Sequence, residues 1–91
     1  MPVSLDEPLE LHPSVALRRE PFGALAYHYG NRRLIFLKHP DVVAVVHRLG
    51  SEPSLRATLE ACGVAPARWS AFVDALTSLE SSEVVRVRLA G

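Results

Sequence analysis

The segment PFGALAYHYGNRRLIFLKHP, residues 21–40, constrains this chain more than any other. Two apolar runs of strand composition meet at Tyr29, Gly30 and Asn31 and stop at Pro40, after which a helical pattern begins at once. The second run, residues 32–37, is therefore expected to be the last strand of a small sheet, with one rail of backbone donors and acceptors left free. A free rail of that kind can hold an extended peptide as an added strand.

A strand before this hairpin is expected at 14–19, where Val15 and Leu17 alternate with other residues until Glu20 and Pro21 interrupt the run. The second and third strands are expected at 22–28 and 32–37, around a turn in which Gly30 or Asn31 supplies positive φ. With a three-residue loop and Asn31 left-handed, Leu25 lies opposite Ile35. Leu25, Tyr27, Ile35 and Leu37 then share the core face, while Ala24, Ala26, Leu34 and Phe36 turn away. That register puts bulk on the core-facing row of both strands, whereas a two-residue loop exchanges the faces.

Helical signals fill the next stretch. Pro40 and Asp41 suit a first turn, and Val42, Val43, Val45, Val46 and Leu49 form a wide apolar stripe, which predicts a helix over 40–49. Ser51 is the expected cap of a second helix, in which Leu55, Leu59 and Cys62 recur at helical spacing until Gly63 ends it. Pro66 opens a third, whose Trp69, Phe72, Val73, Leu76 and Leu79 keep the rhythm of a buried face. Beyond it Val85, Val87 and Leu89 alternate with Arg86 and Arg88, the pattern of a short terminal strand or a frayed end. Residues 1–13, with three prolines and three acids, are expected to be an irregular lead-in from which Leu9 and Leu11 can reach the core. The expected fold is α+β: a three-stranded antiparallel sheet followed by three helices, one domain over 14–91.

A chain of 91 residues has room for one small domain, which buries roughly 60–65% of its unfolded surface. With 48% apolar and 22% charged residues the composition is globular. The formal charge is zero, yet residues 11–40 sum to +4 while residues 1–10 sum to −3. Arg18, Arg19, Arg32 and Arg33 thus put positive charge on the sheet. They either steer an acidic partner there or are simply solvated strand ends.

Other function classes find little support. The four histidines, His12, His28, His39 and His47, show no metal-ligand spacing, and the one cysteine, Cys62, has no partner for a zinc site or a disulfide. Nucleophile elbows, phosphate-cradling glycine loops and dinucleotide fingerprints are absent, so neither catalysis nor a cofactor is expected. Apolar runs are far shorter than a membrane span, and the acidic start is unlike a signal peptide, so a cytoplasmic protein without membrane association is expected. The runner-up is a winged-helix DNA-binding protein, since helices joined by short turns follow a hairpin. Its third helix, however, carries only Arg68 and the acid Asp74, too little positive charge for duplex contacts, and nucleic acid is not an expected partner.

If the third helix packs beside the third strand, Arg33, Leu34, Phe36 and Arg68 line the groove between them with the rims of Trp69 and Phe72. Aromatic residues at helical spacing are more often plain core.

The run LHPSVALRREPFGALAYHYGNRRLIFLKHP, residues 11–40, resembles the PqqD-like peptide chaperones, and within them the mycofactocin-system branch. The likeness is carried by Phe22-Gly23-Ala24-Leu25, Tyr27, Arg33-Leu34 and Phe36-Leu37-Lys38. Beyond Pro40 it lies in helix length and apolar spacing, and the ending EVVRVRLAG departs from it. The resemblance implies a winged-helix-like domain that recognises the precursor of a ribosomally made, modified peptide. The precursor's leader would lie as an added strand along the third strand, beside the third helix, and its far end would pass to a radical-SAM maturase. The implied peptide-binding residues are Arg32, Arg33, Leu34, Ile35, Phe36, Leu37, Arg68, Trp69 and Phe72. Oligomeric state is not fixed by sequence, because an open edge also permits self-pairing.

Overall fold

The computed structural model describes residues 2–88. Its strands are β1 (Leu9–Leu11), β2 (Val15–Glu20), β3 (Gly23–His28), β4 (Leu34–Leu37) and β5 (Val85–Val87). Its α-helices are α1 (Pro40–Arg48), α2 (Leu55–Ala61) and α3 (Trp69–Ser81). Strands β2, β3 and β4 form the expected antiparallel three-stranded sheet, and the three helices follow it.

The register differs from expectation by one residue. Ala24 lies opposite Leu37, Ala26 opposite Ile35, and Leu25 opposite Phe36. Ile35 and Leu37 do face inward, but their companions on β3 are Ala24 and Ala26, both essentially fully buried. Leu25 and Tyr27 join Leu34 and Phe36 on the outer face. The physical reason is that α1 packs over β3, so the row beneath the helix is filled by methyl groups, and bulk comes from Val43, Val45 and Val46 above them. The connecting loop holds four residues, closed by the His28 N–H donating to the Arg33 carbonyl at 2.9 Å. Its left-handed residue is Arg32, with φ of 60°, in place of Asn31.

At the other hairpin the sequence requirement is strict. Gly23 has φ of +144°, and a Cβ there would lie 2.0 Å from the Leu37 carbonyl oxygen. Glycine alone lets the start of β3 approach the end of β4.

The lead-in expected to be irregular contains a strand. β1 pairs with β5, with Leu9 opposite Val87 and Leu11 opposite Val85. Leu9 and Val85 are almost completely buried, and the Arg86 Nε donates to Glu10 Oε2 at 2.6 Å across the pair. Three-residue strands are too short to show a period, and these two are far apart in the chain. The same N-terminal segment meets α2: the Leu55 and Arg56 N–H groups donate to the Glu7 and Leu5 carbonyls at 2.9 and 2.8 Å. Leu89, expected to continue the terminal alternation, lies outside the described residues.

Helix ends follow local chemistry with one correction. Ser54, rather than Ser51, caps α2, its Oγ accepting from the Ala57 N–H at 3.1 Å, while Ser51 closes a short 3-10 turn. Gly63, at φ of 72°, ends α2 as expected. A 3-10 turn at Pro66–Arg68 leads into α3, which buries Phe72, Leu76 and Leu79.

Candidate functional site

Antiparallel pairing alternates which residues bond inward. Because His28 and Arg33 bond across the loop, Ile35 and Leu37 also direct their N–H and C=O groups toward β3. Leu34 and Phe36 therefore direct theirs away from it. β4 is an edge strand, and among the described residues no strand pairs with that outer side. β5 does not close the edge; it pairs with β1.

The residues with free backbone groups also carry exposed apolar side chains. Leu34 is 53% exposed and Phe36 59%. Phe36 meets Phe22 edge to face, with ring centroids 5.7 Å apart, and Phe22 is itself exposed. On the same outer face Leu25 and Tyr27 are half-buried, and the Tyr29 ring packs on Tyr27 at 4.9 Å. The inner face of the same strand is closed off, Leu37 being buried and Ile35 half-buried.

Next to the edge runs a trough. One part, about 210 Å³, has Phe36, Leu37 and Lys38 on one side, Ala75, Ser78 and Leu79 of α3 on the other, and Val42 between. A second part, about 370 Å³, shares His39, Val42 and Ala75 with the first and extends past Ala71 to Phe72 and Arg68. The helix wall is low because Ala71, Ala75 and Ser78 sit at i, i+4 and i+7, which places three small residues on one side of α3 next to its buried stripe. Sequence reasoning missed these, along with Lys38, His39 and Val42. The small-residue spacing was the available signal, since a helix face built of alanine and serine beside an edge strand leaves room for another chain.

Among the residues anticipated from sequence, Leu34 and Phe36 supply the edge, and Leu37, Phe72 and Arg68 line the trough. Ile35 is a support on the core side. Arg68 closes the trough's far end, its guanidinium 2.9 Å from Asp41 Oδ2 and stacked 5.2 Å over the Phe72 ring. Trp69 is not in the trough. Its indole N–H donates to the Val64 carbonyl at 2.9 Å and its ring lies under Arg56, on the α2 side of the helix. Trp69 lies about 120° around the helix axis from Ala75, the middle of the trough wall, and so faces the α2 side.

Arg32 and Arg33 stand exposed at the start of β4, in a loop held by short-range bonds. The His28 Nδ1 accepts from the Gly30 and Asn31 N–H groups at 3.0 and 3.2 Å. Asn31 Oδ1 in turn accepts from the Arg33 N–H at 2.9 Å, and its Nδ2 donates to Glu83 at 3.0 Å. The loop is thus tied to the end of α3. Among the described residues Arg32, Arg33 and Lys38 form no ion pair, whereas Arg18, Arg48, Arg56, Arg68 and Arg86 each do.

Burial pushes the Cys62 thiol up from its ordinary value, with Arg48 partly opposing, and the thiol lies 3.8 Å from the Ala44 carbonyl. It packs as a small hydrophobe. Among the described residues no three or more His, Cys, Asp or Glu side chains cluster in a way that could hold a metal, and no helix is long and apolar enough to cross a membrane.

A model of the peptide chaperone MftB family matches residues 8–86. The chain is similar to the peptide chaperone MftB of Mycobacterium ulcerans (strain Agy99) and to that of Mycobacterium tuberculosis (strain ATCC 25618 / H37Rv). Each is 41% identical over 80 residues, which is 88% of this chain and 73% of the relative. The peptide chaperone MftB of Mycolicibacterium smegmatis (strain ATCC 700084 / mc(2)155) is 47% identical over 75 residues, 82% of this chain and 74% of that one. No solved structure matches the chain.

Proposed function

The chain belongs to the MftB family of peptide chaperones, which are not catalysts, and from that premise we propose that it binds the leader of a ribosomally made, mycofactocin-type precursor peptide as an added strand on β4 and presents it to a radical-SAM maturase. The observation that carries this reading is the coincidence at Leu34 and Phe36 of unpaired edge backbone with exposed apolar side chains. A peptide laid along β4 would use both at once. Alternate side chains of the guest would then fall on the outer face beside Leu34 and Phe36 or into the trough against Ala75 and Leu79.

Magnitudes show why the side chains matter. Four or five backbone hydrogen bonds contribute about 1 kcal/mol net each, while ordering five guest residues costs about 1–2 kcal/mol apiece. Pairing alone is therefore cancelled before association entropy is counted. Burying a Leu or Phe side chain stabilises by about 1.5–3 kcal/mol, so covering Leu34 and Phe36 supplies what pairing lacks. Arg32, Arg33 and Arg68 serve as flanking contacts, and Ile35, Leu37 and Phe72 hold the strand and the helix wall in place. Duplex nucleic acid is a poor alternative, since α3 carries Asp74 and Glu80 and neither Lys nor Arg. A cytoplasmic setting is part of the same proposal.

Titration of isotope-labelled protein with a leader peptide tests the reading. Amide shifts should concentrate on residues 34–38 and on the facing side of α3 at Ala71, Ala75 and Ser78. Shifts confined to Trp69 and the α2 side would place the peptide elsewhere and defeat the proposal.

A further inference from the structure

Among the described residues, the cations at the two ends of β4 have no ionic partner within the molecule. Arg32 and Arg33 are exposed before the strand and Lys38 after it, and none of the three is ion-paired among the described residues. Between them the edge presents only Leu34 and Phe36. The open edge is thus apolar at its centre and positive at both ends.

That pattern acts on two kinds of partner. An edge strand can pair with a second copy of itself. The antiparallel register that uses the free groups of both Leu34 and Phe36 in each copy sets Leu34 of one opposite Phe36 of the other. The same register brings the Arg32 and Arg33 end of each copy up to Lys38 of the other, and like charges held close together are destabilising. A guest strand with carboxylates at its ends meets attraction at the same two places.

We propose that Arg32, Arg33 and Lys38 act as a charge filter on the β4 edge, which selects a guest strand of apolar centre and acidic ends and excludes a second copy of this chain. The filter rests on the strand-addition reading and adds to it the chemistry of the guest. It also accounts for an edge that stays available: exposed Leu34 and Phe36 would otherwise favour self-association.

Two synthetic peptides with the same alternating Val/Leu centre, one ended by glutamates and the other by lysines, test the filter by amide-shift titration. The glutamate-ended peptide should bind at least about tenfold tighter, an advantage that shrinks at about 1 M salt, where the screening length falls to about 3 Å. Reversing all three cations, Arg32→Glu with Arg33→Glu and Lys38→Glu, should invert the preference; all three positions are exposed, and circular dichroism checks that the fold survives. Lys38→Glu alone converts both repulsions between copies into attractions and should raise self-association in sedimentation equilibrium. Equal binding of the two peptides at β4 would overturn the filter and leave strand addition standing. If neither peptide moves the residue 34–38 amides, strand addition fails and the filter with it. A Lys38→Glu variant no more self-associated than the wild type would remove the exclusion of a second copy.

Discussion

β4 and β5 are both short apolar strands, LIFL and VRV, and the fold treats them in opposite ways. β5 finds β1 from the other end of the chain, buries Val85 to 1% exposure, and pins Arg86 to Glu10. Among the described residues β4 pairs on one side only and leaves Leu34 and Phe36 more than half exposed. The contrast teaches that exposed apolar surface on this chain does not come from a shortage of partners. A small domain that closes one strand with a segment from its other end leaves another open beside a trough, and that is the edge we propose for the peptide.

The largest expected effect breaks the closed region. Val85→Asp puts an unpaired carboxylate into the core at a cost of about 3–5 kcal/mol, which thermal or urea unfolding will register. Gly23→Ala comes next, at about 1–3 kcal/mol, because its Cβ collides with the Leu37 carbonyl and forces β3 and β4 apart. Its signature is a lowered urea midpoint together with lost cross-strand contacts between residues 24 and 37.

The two faces of β4 sharpen the contrast within one strand. Ile35→Asp turns a charge toward the core and should destabilise by about 1–3 kcal/mol. Phe36→Asp, one residue on, should leave stability within about 0.5 kcal/mol while lowering leader affinity at least about tenfold. Calorimetric peptide binding and urea melts on the two variants separate the outcomes. If Phe36→Asp unfolds the chain and Ile35→Asp does not, the faces are exchanged. Smallest is the coupling of Glu10 and Arg86, expected at about 0.2–1 kcal/mol in a double-mutant cycle read by urea melts, since both side chains keep partial exposure.

Much of this arrangement is legible in the residues. Apolar periodicity locates α1 and α3, Gly63 ends α2, and the direct passage from Leu37 to a helix at Pro40 marks β4 as the last strand of its hairpin. The register is not legible, because Gly30, Asn31 and Arg32 all stand where a left-handed residue could close the loop. A preference for bulk at the core then points the wrong way, since the helix above Ala24 and Ala26 supplies it. Pairing of β1 with β5 is a long-range event between segments too short for a period. Trp69 misleads for a related reason: helical spacing gives the apolar stripe of α3, but its first residue is turned toward Val64. The trough itself was written in Ala71, Ala75 and Ser78, residues that draw no notice until a strand is set beside them.

Hydrogen exchange at four consecutive amides tests the central claim most directly. In the free protein the Ile35 and Leu37 N–H groups, bonded to β3, should exchange slowly, and those of Leu34 and Phe36 should exchange fast. Saturation with a leader peptide should slow Leu34 and Phe36 and leave the other two as they were. Leu34 and Phe36 amides that remain fast under saturating peptide would contradict strand addition at this edge.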